Sequence, residues 1–338
     1  MGMSKEEKFK KGATEILGKS FKNIKAGSIQ GFLNLAVVPL FAKKERGPEY
    51  LTMTEALEGD ILVVTEISEG GSVPNLKVSN KSTTDNILLL DGEELKGAKQ
   101  NRALNTSILV GASADIVVPV SCTERGRWRY KNQAQGNQLH PSPDEHMKFM
   151  DSQKIMAKEV RRKRTQSVSE SLKHSANYQS NQGEVWDEIS KMQANLHSHS
   201  HTGAMSDSYD ARRRELEDYL RAFPLVDGQR GCVVFLNGKI AGCELLSREK
   251  AYAQLHRKII ESYAIDALGD RASTTEFPTK KRAMAFVKEV ATWDTNKFKS
   301  VGLGDDLRLE RGHSSGTALV VDDEVVHSVA FASEVAVN

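Results

Sequence analysis

The stretch Asp85-Asn86-Ile87-Leu88-Leu89-Leu90-Asp91-Gly92-Glu93-Glu94-Leu95-Lys96-Gly97-Ala98-Lys99-Gln100-Asn101-Arg102-Ala103-Leu104-Asn105-Thr106-Ser107-Ile108-Leu109-Val110 decides how the chain is read. Two apolar runs, Ile87 to Leu90 and Ile108 to Val110, enclose a segment too polar and glycine-punctuated for core, so a strand, a functional turn and a strand are expected. Asp91-Gly92 is a turn dipeptide, and Gly97 is a second point where backbone can approach another molecule closely. Glu93, Glu94, Lys96, Lys99, Gln100, Asn101 and Arg102 put acid, cation and amide donors in one short loop. That set suits an anionic, hydrogen-bonding ligand such as a nucleotide phosphate and sugar. The competing reading is a solvated loop with local ion pairs. Neither Gly-x-x-x-x-Gly-Lys-Ser/Thr nor Gly-x-Gly-x-x-Gly occurs, so neither glycine-loop phosphate mechanism applies.

Outward from this stretch, short β-type runs recur at Phe32 to Phe41, Ile61 to Ile67, Leu76 to Ser79, Ile87 to Leu90, Ala103 to Val110 and Ile116 to Val120. Gly59-Asp60, Gly70-Gly71, Asp91-Gly92 and Gly111 separate them, and Thr52 to Leu57 alone suggests a helical turn. Such spacing predicts an antiparallel β-sandwich or barrel-like domain. A parallel dinucleotide-binding sheet would need long helices between the strands.

Upstream, Phe9, Ala13, Ile16, Leu17, Phe21 and Ile24 line one face of a lysine-rich helix over residues 5 to 25. Docking on its own domain is the favoured role, with a membrane surface or an acidic partner as the alternative. Downstream, Ser142-Pro143-Asp144-Glu145 is a capping box, which predicts a helix from there towards Arg164. Gln166 to Asn181 is serine-rich and reads as a mobile loop, and helices are expected over Glu184 to Leu196 and Ser208 to Phe223. Hairpins follow at Gly231 to Leu246 around Asn237-Gly238 and at Thr317 to Phe331 around Asp322-Asp323. Between them lie a helix that Ser247 can cap, continuing through Ala267, and another from Lys280 to Trp293. The expected fold class is α+β. Its parts are an N-terminal amphipathic helix at 1–27, a β-rich domain at 28–140, a helical segment at 141–223 and an antiparallel sheet with helices at 224–338.

Lysine plus arginine number 47 against 45 acids, so the net charge of +2 gives no whole-chain footprint for nucleic acid. No apolar run reaches the ~18 to 20 residues of a membrane span, and the first thirty residues lack a secretory pattern, so a cytoplasmic location is expected. Cys122, Cys232 and Cys243 are too few and scattered for a disulfide framework or a metal knuckle, in keeping with a reducing compartment.

Three further motifs carry chemistry. In Cys122-Thr123-Glu124-Arg125-Gly126-Arg127-Trp128 an arginine can clamp an anion and the indole can stack on a base or sugar. The cysteine-phosphatase pattern needs an arginine six positions after the cysteine, where Trp128 stands, so that mechanism is rejected; Cys122 reads as a small core residue. In Gln182-Gly183-Glu184-Val185-Trp186-Asp187-Glu188, Glu184 shares a helix face with Asp187 and Glu188, which suits acid/base work or simply complements the helix dipole. His197, His199 and His201 alternate before Thr202-Gly203, but nothing orients the rings, so a polar loop is favoured and no metal site is assigned. Arg161-Arg162-Lys163-Arg164 is a basic cluster favoured as a solvated helix face, and His327 falls in phase with a core-facing strand.

The motifs Asp91-Gly92-Glu93-Glu94-Leu95, Gly97 to Arg102, Cys122 to Trp128, Gln182 to Trp186 and Thr202-Gly203-Ala204-Met205 together resemble a bacterial and archaeal family. That family is described as associated with ADP-ribosylglycohydrolases and with rhodanese- or phosphatase-type proteins. The similarity runs from about Leu33 to Phe331, through Val325-Val326-His327; the three histidines and the lysine-rich start depart from it. The resemblance implies a link to ADP-ribose or nucleotide metabolism, with conflict or defence systems as one setting. It brings neither a reaction nor an established catalytic residue.

The leading expectation is a soluble protein that binds or processes a nucleotide or ADP-ribose-like ligand. Glu93, Glu94, Glu124 and Glu184 are the candidate catalytic acids; Lys99, Gln100, Asn101, Arg102, Arg127, Trp128, Trp186 and Thr202 are the candidate ligand contacts. The alternatives are a non-enzymatic sensor or sequestering protein, a scaffold, and a nucleic-acid binder through the basic helix at 158–164. No cofactor is assigned, nucleic acid is disfavoured as a partner, and a homo-oligomer stays open.

Overall fold

The computed structural model describes residues 5–128, 147–270 and 278–333, with side chains from residue 12 onward. The capping box at 142–145 lies outside the described residues. The fold is α+β, and among the described residues every strand pairing is antiparallel except one short parallel pair. The chain divides into two compact units, one of residues 1–49, 217–300 and 304–338, the other of residues 50–216 and 301–303.

The first unit is built on a nine-stranded sheet. Its strands are β1 (Ile24–Ala26), β2 (Gln30–Phe32), β3 (Leu35–Ala42), β13 (Gln229–Leu236), β14 (Lys239–Leu246), β15 (Asp294–Lys299), β16 (Asp305–Arg311), β17 (Ser314–Val321) and β18 (Glu324–Phe331). The order is β1-β3-β13-β14-β18-β17-β16-β15, with β2 also on β3. β3 falls in the β-rich domain expected at 28–140, yet it pairs with β13 of the expected last domain. The helices α1 (Lys5–Phe21) and α8 (Lys280–Val290) bury Leu17, Phe21, Phe286 and Val287 against Val233 and Phe235 of the sheet. Tyr252 of α7 (Glu249–Gly269) lies by Cys232, which strand alternation turns away from Val233. Both faces are thus covered, which accounts for the nearly unbroken apolar run through β13. Both expected hairpins form: Asn237 and Gly238, and likewise Asp322 and Asp323, hold the positive φ that tight turns need. Arg248, not Ser247, stands at the start of α7, without a side-chain cap.

The second unit holds a three-stranded sheet, β10-β7-β4, and a six-stranded sheet, β12-β8-β9-β11-β6-β5. The former uses β4 (Leu51–Thr52), β7 (Ile87–Leu89) and β10 (Ile108–Val110). The latter uses β5 (Leu62–Thr65), β6 (Asn75–Asn80), β8 (Glu93–Gly97), β9 (Arg102–Leu104), β11 (Asp115–Cys122) and β12 (Phe149–Ile155). The expected helical turn is α2 (Met53–Glu58), with Thr52 and Glu55 forming a capping box. Its other helices among the described residues are α3 (Lys158–Ser175), α4 (Gln182–Asn195) and α5 (Met205–Ala211), while α6 (Arg213–Ala222) straddles the division. The edges of the larger sheet meet at one isolated bridge, Thr65 to Lys148, beside the bond from Glu66 N to Met147 O at 3.1 Å.

Several expectations are corrected here. The polar segment after Gly92 is a paired strand, β8, not an open loop. Ala103 to Val110 is two strands, because β9 joins the six-stranded sheet and β10 the three-stranded one. The helix expected to run from 142 to Arg164 is replaced over Phe149–Ile155 by β12. The serine-rich segment after Gln166 is not a mobile loop, since α3 continues to Ser175.

The basic cluster on α3 is not a solvated face or a nucleic-acid surface either. Arg161 and Arg164, three apart and so on one face, are fully buried against Asp91. Asp91 Oδ1 accepts from Arg161 Nε at 2.6 Å and from Arg164 Nη2 at 2.5 Å. Gly92 sits at φ +80, and a Cβ there would come 3.0 Å from Arg161 Cδ, so the turn needs glycine for its conformation and its clearance. Burial pushes the Asp91 carboxyl up, but Arg164 and then Arg161 outweigh it and hold it down at about 2. Removing one partner of such a buried pair typically costs ~3–5 kcal/mol. Asp91→Ala should therefore lower the urea unfolding free energy by about that amount, whereas Asp85→Ala, at an exposed turn, should change it little. Equal midpoints for the two variants would show that the Asp91 pairing does not hold the fold.

Candidate functional site

The segment read as a ligand loop lies mostly inside the protein. Glu93, Glu94 and Arg102 are fully buried, and Gln100 and Asn101 nearly so. Glu93 Oε2 accepts from Leu90 N at 2.9 Å, which braces the turn around Gly92. Glu94 Oε1 accepts from Thr123 Oγ1 at 2.5 Å. Burial pushes the Glu94 carboxyl up to about 7 against the weaker opposing pull of Thr123 and Ser152.

Glu124 and Arg127 form a second cluster, closed on itself. Arg127 Nη2 donates to Glu124 Oε2 at 2.7 Å, Nη1 to Ala98 O at 2.6 Å, and Nη2 also to Asn101 Oδ1 at 3.2 Å. Glu124 further accepts from Asn101 N at 3.1 Å and from Thr202 Oγ1 at 2.8 Å. Burial would raise the Glu124 carboxyl, but the donors Arg127 and Thr202 keep it below its ordinary value. This network joins the ends of β8 and β11 to the segment before α5, where Gly126 N also donates to Thr202 O at 2.7 Å. Arg127, Asn101 and Thr202 are thus brought together around Glu124.

A third cluster contains an acid outside the expected site, Glu66. Glu66 is 1% exposed, and its Oε1 lies 4.0 Å from Arg102 Nη2. Arg102 Nη1 donates to Gln100 Oε1 at 2.8 Å. Among the described residues both Glu66 carboxylate oxygens and Arg102 Nε and Nη2 lack a hydrogen-bond partner. Burial, foremost, pulls the Arg102 guanidinium down from its ordinary value. Trp128, 46% exposed, covers the pair, with Arg102 at 5.4 Å and Lys99 at 5.5 Å from its ring centroid. Lys99 Nζ donates to Gly70 O at 2.8 Å. Gly71, at φ +76, marks the meeting point: a Cβ there would lie 3.3 to 3.4 Å from Lys99 Cδ, Glu66 Oε2 and Trp128 Cζ2. Cys122 is also near Arg102 and Glu66, and burial pushes its thiol up to about 11, as suits a core residue and not a nucleophile.

The Glu184 helix does not contribute. Glu184 is exposed, its backbone N–H capped by Asn181 Oδ1 at 3.4 Å, and Trp186 pairs with Arg125 at 5.4 Å. The motif around it is explained by Gln182, whose side chain bonds both backbone groups of Cys122 at 2.7 and 2.9 Å and so fixes α4 to the end of β11. His197, His199 and His201 are exposed, and no group of three or more potential metal ligands occurs among the described residues. His327 is fully buried, with Nε2 3.0 Å from Glu244 Oε1. A cleft of about 510 Å³ between the edges of the six-stranded sheet is lined by Leu62, Val64, Lys148 and Met150, not by the Glu66 cluster.

A family model described as ARG and Rhodanese-Phosphatase-superfamily-associated Protein domain matches residues 23–331. No curated protein and no solved structure matches the chain. No helix among the described residues is long and apolar enough to cross a membrane.

Glu94 gives a pH signature. Its pKa rises on folding from the ordinary 4.5 to about 7, so the folded protein binds the extra proton. The associated stability is fully present below pH 4.5 and is lost as pH rises through about 7. Glu94→Gln should remove the fall in melting temperature between those limits and leave the variant the more stable form at pH 8, as thermal scans across pH would measure. A wild-type profile that stays flat over this range would contradict it.

Proposed function

The chain belongs to that family, and from this premise we propose that it binds a nucleotide- or ADP-ribose-like ligand at the Glu66, Arg102 and Trp128 cluster. The observation that carries this is the pairing of two fully buried charges at 4.0 Å whose remaining polar atoms have no hydrogen-bond partner among the described residues. Such atoms are costly to bury, and a ligand supplying an anionic oxygen to Arg102 and a hydroxyl to Glu66 would satisfy them. Adenosine diphosphate ribose and related nucleotides carry both groups. Trp128 covers the pair, so entry requires the indole to swing aside, and its face then becomes available to a base or sugar. Lys99 adds a second cation at the rim. Glu124, Arg127 and Glu93 have structural roles in this reading, and Glu184 and Trp186 lie outside it.

Sensing or sequestering suits the site better than turnover, because among the described residues the pair is buried away from the water that a hydrolysis would need. The three buried free cysteines suit the cytoplasm, where such ligands are abundant. Titrating ADP-ribose while following tryptophan emission and heat should give saturable binding in the wild type. The emission change should vanish in Trp128→Phe, and Glu66→Gln should weaken affinity about tenfold. Chromatography of the mixture should return unaltered ligand. Absence of both heat and emission change at millimolar ligand, or unchanged affinity in Glu66→Gln, would sink the proposal.

A further inference from the structure

We infer that the nine-stranded unit carries a second binding site, for a diphosphate group, in the cleft beneath the end of α1. The cleft holds about 220 Å³ and is lined by Lys19, Lys43, Lys44, Arg46 and Arg230, with Glu324 as its one acid. Five cations against one carboxylate is a strong local excess in a chain of net charge +2. That carboxylate is already engaged twice, since Lys19 Nζ at 2.9 Å and Arg46 Nη1 at 3.3 Å both meet Glu324 Oε1. Burial would raise the Glu324 carboxyl, but Lys19 and Arg46 keep it below its ordinary value.

The other cations are arranged differently. Arg230 is buried at 6% exposure, and its Nη1 donates to Ser247 O at 2.7 Å, which fixes the guanidinium in the wall of the cleft. Lys43 and Lys44 are exposed and make no ion pair or hydrogen bond with any described residue. A rigid arginine with mobile ammonium groups around it is a suitable receptor for phosphate, the arginine supplying direction and the lysines charge. Leu245 and Val325 make part of the wall apolar, which lowers the local dielectric and strengthens the attraction between the cations and an anion bound there. The volume is below the ~300–1,000 Å³ of sites that enclose drug-sized ligands, so the cleft takes a diphosphate and not a whole dinucleotide. Two adjacent phosphates carry enough charge for Lys43, Lys44 and Arg230 together, which one phosphate does not. This site lies in a different unit from the Glu66 cluster and stands or falls separately.

Calorimetry on the full chain would test it, with inorganic pyrophosphate and ADP as ligands and orthophosphate as a control at matched ionic strength. Pyrophosphate should bind saturably, near one per chain, and orthophosphate about tenfold or more weakly. Binding of ADP as tight as that of pyrophosphate, and lost with it in the double variant Lys43→Ala, Lys44→Ala, would identify the diphosphate of a nucleotide as the source; binding of pyrophosphate alone at this cleft would identify the free anion. The double variant Lys43→Ala, Lys44→Ala changes exposed side chains only and should lose about tenfold or more in affinity for pyrophosphate. ADP-ribose titrated into the same variant, read by tryptophan emission, reports the other site independently. No saturable pyrophosphate binding, undiminished binding by the double variant, or equal affinity for orthophosphate would overturn the inference.

Discussion

The second unit depends on a single carboxylate held between two arginines. Asp91 meets Arg161 and Arg164 where all three are fully buried. A lone buried charge would be prohibitive, so the carboxylate can exist there only with α3 docked, and α3 can dock only with the carboxylate present. Such a pair adds little net stability over an apolar contact of the same size. What it does is fix one arrangement and penalise the others. The turn at Gly92 is thereby placed under Arg161, Met156 N bonds to Gly92 O at 2.8 Å, and β8 leaves the turn directly into the sheet. The acids at its start are buried as a result, Glu93 serving the turn and Glu94 facing Thr123.

Three sets of buried charge in this unit differ in how their polar atoms are satisfied, and in what covers them. Glu124 and Arg127 share donors and acceptors with Asn101, Ala98 and Thr202. Asp91 gives Oδ1 to two guanidinium donors, while its Oδ2 has no hydrogen-bond partner among the described residues. Glu66 and Arg102 are further apart, and several of their atoms meet no partner among the described residues, beneath the half-exposed Trp128. Closed networks rigidify; an open one is where a ligand changes the energy most.

Much of the fold is legible in the sequence because its signals are local. Asn237-Gly238 and Asp322-Asp323 mark their hairpins, and the apolar stripes of α1, α7 and α8 show the helical period directly. The failures are where burial is polar. The inward face of α3 carries Arg161, Arg164, Thr165, Val168, Ser169 and Leu172, so a stripe of correct period was hidden by residues that look exposed. β8 begins with two glutamates, and β15 and β16 are rich in Asp, Lys and Arg, so neither reads as a strand. The candidate site is half legible: Arg102, Gln100, Lys99 and Trp128 lie in recognisable polar motifs, while no spacing signal links residue 66 to residue 102 across the intervening strands. In the sequence the acids after Gln182 draw the eye, yet the amide of Gln182, matched to both backbone groups of Cys122, is the reason for the motif.

Among the described residues the six-stranded sheet closes on itself by a seam of one bridge, whereas its other joins are ladders of two to five rungs. In a closed ring of cooperative contacts the weakest join sets how the ring responds to strain, since separating there breaks the fewest bonds. The last donor on that seam is the amide of Glu66, the residue whose carboxylate faces Arg102. One residue therefore belongs to two systems, the backbone closure of the sheet and the buried pair with Arg102. The hydrogen-exchange rate of the Glu66 amide is a direct gauge of how firmly the barrel is latched.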